Sequence, residues 1–295
     1  MDQGTIQINY APGKPGQPVQ VVLEPNVSGV KLLNTSVTGK AHTKNTFKME
    51  RARGENTIKI EGSLPVDAKK GNKKVAIDAP QVYTGEVFKE QLGKVGVHVD
   101  PHSVVKDGEK PSNARLIHTY YSPKLAEIVR YMNHYNNNFT AEMILRTLGN
   151  LGGGSGSFTD GIDGIQQLMR TQHLSSLFDM MDGSGLTRYT QISAEQITGL
   201  LVAETKMGSF SDFYPSLAVA GEKGVLAQLL GEEKSTKLTG ILEERSDMQG
   251  LSGYVRTNDG DLLAYSLLLN GYSPTSQNQL IRQFAERLVE IANRS

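Results

Sequence analysis

The chain has 295 residues, 38% of them apolar, which suits about two domains around a sizeable core and excludes wholesale disorder. Its 31 basic residues balance 31 acidic ones, so it lacks the basic surplus of a general nucleic-acid binder. The absence of cysteine excludes disulfides, thiolate zinc sites, iron–sulfur clusters and a cysteine nucleophile.

Met1-Asp2-Gln3-Gly4 has neither a basic nor an apolar leader, so no signal peptide is expected at this start. No apolar run reaches the roughly 20 residues of a membrane helix. The first hundred residues then alternate as strands do. Thr5–Tyr10, Val19–Leu23, Val30–Leu33, Thr57–Ile60, Val75–Ile77 and Val95–Val99 read as short strands between Gly, Pro, Asn and Lys. One helix interrupts them after Pro80, with Val82, Val87, Phe88 and Leu92 at helical spacing and Gly93 as its stop. A polar linker, Asp100 to Asn113, places a domain boundary between residues 1–113 and 114–295.

Helices dominate after residue 120. Ser122 and Pro123 read as an N-cap and first helical residue, followed by Leu125, Ile128, Val129 and Met132 on one face. A second helix spans about Asn138 to Leu148 and stops at Gly149. Ser193 and Gln196 form a capping box for a third. Leu251–Arg256 and Leu262–Leu269 flank Asn258-Asp259-Gly260, a β-hairpin signal. The last helix opens at Ser273-Pro274 with Leu280, Phe284, Leu288 and Ile291 as its apolar stripe.

Most motif-like segments have plain readings. Gly149 to Ser157 is glycine-rich but lacks the Gly-Lys-Ser/Thr of a phosphate loop, and reads as a flexible connector. Asp179 to Gly183 lacks the closing glutamate of a calcium loop and reads as a turn. His98 and His102 have Pro101 between them and no supporting ligands, so no metal is assigned. Ser103 to Lys106 has Ser-x-x-Lys spacing, but it falls in the linker without helical periodicity, so chance explains it. Two segments resist such readings. Asn136-Asn137-Asn138 places three amides between two helices, where a cap needs one, and Thr239-Gly240 on a strand can offer a hydroxyl and a close backbone approach.

Ser122 to Val129, continuing through Asn136-Asn137-Asn138-Phe139-Thr140-Ala141-Glu142, resembles the central motif region of the D-alanyl-D-alanine carboxypeptidase/endopeptidases. These are the class C penicillin-binding proteins, or S13 serine peptidases. Asp182 to Arg188 resembles their Asp-Gly-Ser-Gly-Leu-Ser-Arg landmark, Phe213 to Gly221 the segment after it, and Leu251 to Val255 a later strand. Lys237 to Gly240 falls where the family carries Lys-Thr-Gly. The agreement covers roughly residues 75 to 295, and the strand-rich first part is similar only loosely to the family's inserted β-domains.

The resemblance implies an α/β penicillin-binding-protein-like fold: a partial transpeptidase-type domain of helices and antiparallel sheet, preceded by a β-rich module. It also implies acyl transfer on peptidoglycan stem peptides in the cell envelope, periplasmic or extracellular, with no cofactor. A serine with an adjacent lysine attacks, a Ser-x-Asn motif relays protons, and Lys-Thr-Gly binds the terminal carboxylate. Carried over by position, Asn138 and Thr239 are the catalytic matches. Asn136, Lys237, Leu238, Gly240 and Ser184 are the substrate-binding ones. Three departures stand out. The nucleophile element is expected upstream of Met1, Asn136 replaces the motif serine, and Leu238 replaces the motif lysine. An amide cannot accept and pass on a proton as a hydroxyl does. Lys237 is one residue off, which on a strand means the opposite face unless a bulge intervenes. Three readings stay open: part of a peptidase completed elsewhere, a pseudoenzyme that binds peptidoglycan peptide or a partner, and a structural envelope module.

Overall fold

The structure, a computed structural model, describes residues 3–27, 29–100, 102–222, 224–230, 237–245, 247–271 and 273–294. The chain divides into two compact units, residues 1–118 and 119–295.

The first unit is built from eight short strands: β1 (Thr5–Ala11), β2 (Gln20–Glu24), β3 (Lys31–Asn34), β4 (Val37–Gly39), β5 (Lys48–Arg51), β6 (Thr57–Glu61), β7 (Ser63–Pro65) and β8 (Gly71–Ala76). Helix α1 (Pro80–Lys94) follows them. Strand β1 lies between β2 and β8, both antiparallel to it, and β6 lies between parallel β3 and antiparallel β5. Alternation decides the core: Ile6 and Ile8 of β1, and Ile58 and Ile60 of β6, are fully buried and pack with Val27, Val30, Met49 and Tyr83. The expected strand at Val95–Val99 does not form. The chain leaves α1 through a turn at Gly96, and Val95 is 76% exposed. β-branched residues without a pairing partner make no strand.

The second unit orders α2 (Leu125–Tyr135), α3 (Asn138–Leu151), α4 (Phe158–Thr171), α5 (Ala194–Glu204), α6 (Phe210–Phe213), β9 (Ala218–Val219), β10 (Leu238–Glu244), β11 (Met248–Arg256), β12 (Leu262–Asn270) and α7 (Pro274–Arg294). The sheet runs β12-β11-β10-β9, antiparallel throughout. On one face, Leu238 and Leu242 of β10, Leu251 and Val255 of β11 and Tyr265 of β12 pack with Ile281 and Ala285 of α7. On the other, Tyr254 packs with Leu201 of α5, Leu217, Phe210 and Tyr214. The Tyr254 hydroxyl donates to the Leu201 carbonyl at 2.7 Å, and burial pushes its pKa well above the usual tyrosine range.

Several boundaries differ from those expected. Helix α2 begins at Leu125, not Pro123, because the Ser122 hydroxyl bonds the Pro123 carbonyl rather than capping the helix. Helix α3 runs past Gly149 to Leu151. That glycine lies where α4 crosses, and a Cβ there would stand 2.7 Å from the Gly161 nitrogen. The expected flexible connector is an ordered turn into α4: Asp160 accepts from the Ser155 amide and hydroxyl, and Ser157 and Asp160 close a capping box. Those hydrogen bonds draw the Asp160 carboxyl down to about 2. The capping box at Ser193 and Gln196 does open α5, and the hairpin turns at Asn258-Asp259-Gly260.

Helix α7 packs on the sheet, but its buried positions are Gln277, Ile281, Ala285 and Ala292, while Leu280 is 39% and Ile291 51% exposed. Two of the expected stripe residues, Phe284 and Leu288, pack against this core, while Ile281, Ala285 and Ala292 take the innermost places instead of Leu280 and Ile291. Phe284 sits beside this line against the Tyr265 ring, with centroids 6.0 Å apart. Ile281→Ala should therefore cost about 3 kcal/mol and Leu280→Ala about 1 kcal/mol or less. Chemical-denaturation midpoints of the two variants check this, and equal losses would contradict the placement of the helix.

Candidate functional site

The asparagine triplet makes the corner between α2 and α3, and each residue has a different task. Asn136 ends α2 in the left-handed region, φ 50°, which asparagine tolerates better than most residues. Asn137 caps α3, accepting from the Thr140 amide and hydroxyl. Asn138 is the first residue of α3, and its half-buried side chain lines a cavity of about 330 Å³.

That cavity lies between the corner, strand β10 and the segment from Phe178 to Ile192. Ile241 and Glu243 form the β10 wall, and Phe178, Met180 and Ile192 also line the cavity. Asn136 bridges corner and strand: its amide nitrogen donates to the Leu242 carbonyl at 3.0 Å and to Glu243 Oε2 at 2.6 Å. Burial raises the Glu243 pKa above the ordinary glutamate range, against the Asn136 hydrogen bond and the Arg245 charge, which favour ionisation.

The Asp182–Thr187 loop closes another side. Asp182 accepts from the Gly185 amide at 2.8 Å and the Thr187 amide at 2.7 Å. Glu142 of α3 accepts from the Gly183 and Ser184 amides and from the Ser184 hydroxyl. Arg245 donates to the Gly185 and Leu186 carbonyls, so the loop is tied to the sheet as well. No group of three or more potential metal ligands occurs among the described residues.

The residues singled out from the sequence divide between this cavity and the core. Asn136, Asn138 and Ser184 line the cavity. Thr239 shares the β10 face of Ile241 and Glu243 but does not line it. Only 4% exposed, its hydroxyl donates to the Tyr254 carbonyl at 3.4 Å. Leu238 is fully buried on the α7 face, and Lys237 donates to Asn258 and Asn293 where the hairpin meets the end of α7. At Gly240, a Cβ would meet the Ser252 carbonyl oxygen at 2.4 Å and the Tyr265 hydroxyl at 2.7 Å, so strand packing requires this glycine.

Glu243 and Glu142 were not among the sequence candidates. For Glu243 the signal was available, since the Thr239, Ile241, Glu243 alternation puts an acid on the same face as the motif threonine. Ser103 and Lys106 lie in irregular backbone of the first unit, without a helical turn to bring them together. A second Ser-x-x-Lys spacing, Ser28 to Lys31, escaped the reading, and Ser28 lies outside the described residues.

The D-Ala-D-Ala carboxypeptidase 3 (S13) family matches residues 1–291. This chain belongs to that family. It is 30% identical over 301 residues to a D-alanyl-D-alanine carboxypeptidase of Actinomadura sp. (strain R39), covering 99% of this chain and 55% of that protein. The chain thus spans about half the length of this relative. Two structures of penicillin binding protein 4 from Haemophilus influenzae, one of them complexed with a β-lactam, share the fold. Both are 17% identical and cover 97% of this chain. The β-lactam complex gives a TM-score of 0.78 over 69% of its own chain, and the other gives 0.79 over 66%. The mixed architecture, a β-rich first part followed by helices and antiparallel sheet, is the one the resemblance implied.

Because burial raises the Glu243 pKa, the folded state holds that proton more tightly than the unfolded chain, so native stability falls as pH rises above the ordinary glutamate range of about 4.3. Glu243→Gln keeps an acceptor for Asn136 and removes this dependence. The variant should gain on the wild type between about pH 4 and pH 7. Thermal midpoints across that range check it, and a pH-independent difference would contradict it.

Proposed function

We propose that this chain carries the peptide-binding cleft of a D-Ala-D-Ala carboxypeptidase-type domain and does not itself perform acyl transfer. Its ligand is a peptidoglycan stem peptide, and its place of work is the cell envelope. The observation that carries the reading concerns the two substituted motif positions. At the position that the resemblance gives to a proton-relaying serine, the Asn136 amide is engaged with β10. At the position it gives to a cation, Leu238 is sealed in the core with α7.

Reversing these substitutions would not restore the chemistry. Leu238→Lys would thrust an ammonium into a core of leucines and alanines, where an unpaired charge is strongly disfavoured. Asn136→Ser would give up the bridge to Glu243. The cavity itself remains open, with apolar residues and asparagine amides in its lining, the combination that holds small peptide ligands. Family membership supports peptidoglycan as the ligand class. Among the described residues no helix is long and apolar enough to cross a membrane.

The test is labelling by a fluorescent penicillin. Acylation needs a nucleophilic hydroxyl with a base in hydrogen-bond reach, so the chain is expected to give no covalent band on a denaturing gel. A stoichiometric band that survives boiling would support an acylating peptidase instead. Its loss on Ser28→Ala or Ser103→Ala would locate the nucleophile.

A further inference from the structure

The charged groups that line the cavity are all acidic. Asp182 and Glu243 are its only ionisable lining residues among those described, and Glu142 lies behind the loop that closes it. Asp182 and Glu142 have both carboxylate oxygens occupied by amides or the Ser184 hydroxyl. Glu243 differs. Its Oε2 accepts from Asn136, and no hydrogen bond to its Oε1 occurs among the described residues. The nearest cation, Arg245, spends its guanidinium on the Gly185 and Leu186 carbonyls, while Glu244 adds a second negative charge beside it.

A half-buried carboxylate with one unfilled oxygen, in a cavity lined by no cation among the described residues, is a poor neighbour for another anion and a good one for a cation. A peptide carboxylate there would face like charge without a compensating ammonium. A donor cation would complete the hydrogen bonding of Glu243 and remove the cost of its burial. Asn138, at the corner that lines the same cavity, offers a carbonyl oxygen to a peptide N–H and an amide to a peptide carbonyl.

We propose that the cleft selects the positive end of its ligand, seating a primary ammonium on Glu243 Oε1 and rejecting a peptide that presents a carboxylate at that point. The proposal deepens the reading that the cleft receives peptide, and rests on it. It fixes the class of ligand as a short D-alanyl peptide carrying an amine rather than a free C-terminal carboxylate at the Glu243 wall.

The test uses three N-acetyl-D-Ala-D-Ala ligands that differ only at the C-terminus: the free carboxylate, the carboxamide and the 2-aminoethylamide, of charge −1, 0 and +1. Isothermal titration calorimetry at low salt on the whole chain should rank them with the amine tightest and the carboxylate weakest. At least about tenfold in Kd should separate those two. In Glu243→Gln, which keeps the Asn136 hydrogen bond, that ratio should fall toward one, and a thermal melt of the variant confirms its fold. The wild-type ranking is a test by itself. Equal affinities, or a preference for the carboxylate, would overturn the charge selection and leave peptide binding in place. No binding of any of the three would overturn the peptide-binding reading and this inference with it.

Discussion

Strand β10 is buried on both faces. Leu238, Gly240 and Leu242 face α7, while Thr239, Ile241 and Glu243 face the helices and the cavity. The register to β11 is fixed at the closest point, where Gly240 pairs with Gly253 and a Cβ on Gly253 would stand 2.1 Å from the Thr239 carbonyl oxygen. The Tyr265 hydroxyl covers this point and donates to the same carbonyl at 3.0 Å. A slip of one residue would send leucines into the cavity and an acid into the core, so register and site chemistry are one constraint.

The cavity follows from that strand. With β10 held, Glu243 projects toward the corner between α2 and α3, and Asn136 reaches across to meet it. The left-handed turn at Asn136 frees its side chain from the helix and aims the amide at β10. Arg245, just past the strand end, holds the Asp182–Thr187 loop by two carbonyls, so both the corner and the loop are tied to one strand. Preorganisation of this kind lowers the ordering cost of binding a ligand.

How much of this was legible in the sequence depended on whether local rules or tertiary packing decided each element. The Ser193 box, the Asn258-Asp259-Gly260 hairpin and the alternating strands follow from local chemistry and could be read directly. Helix α4 was missed because the glycines before it mask the Ser157–Asp160 box, and because Gly161 is there for close packing against the Leu145 carbonyl. In the α7 stripe Phe284 and Leu288 pack as expected, whereas Leu280 and Ile291 are exposed because close approach to the sheet favours Ala285 and Ala292. In the cavity, the asparagine corner stood out for carrying more amides than capping needs. The Thr239, Ile241, Glu243 alternation marked the face of Glu243, but its hydrogen-bond partner lies 107 residues away, which no local pattern supplies.

The account centres on the Asn136–Glu243 bridge that joins the helical corner to the sheet. A double-mutant cycle with Asn136→Gly, which preserves the left-handed turn, and Glu243→Ala measures it most directly. Denaturant unfolding of the wild type, the two single variants and the double variant should give a coupling of about 1 kcal/mol or more. Additive effects, within about 0.3 kcal/mol, would mean that corner and strand are held independently, and would contradict the account.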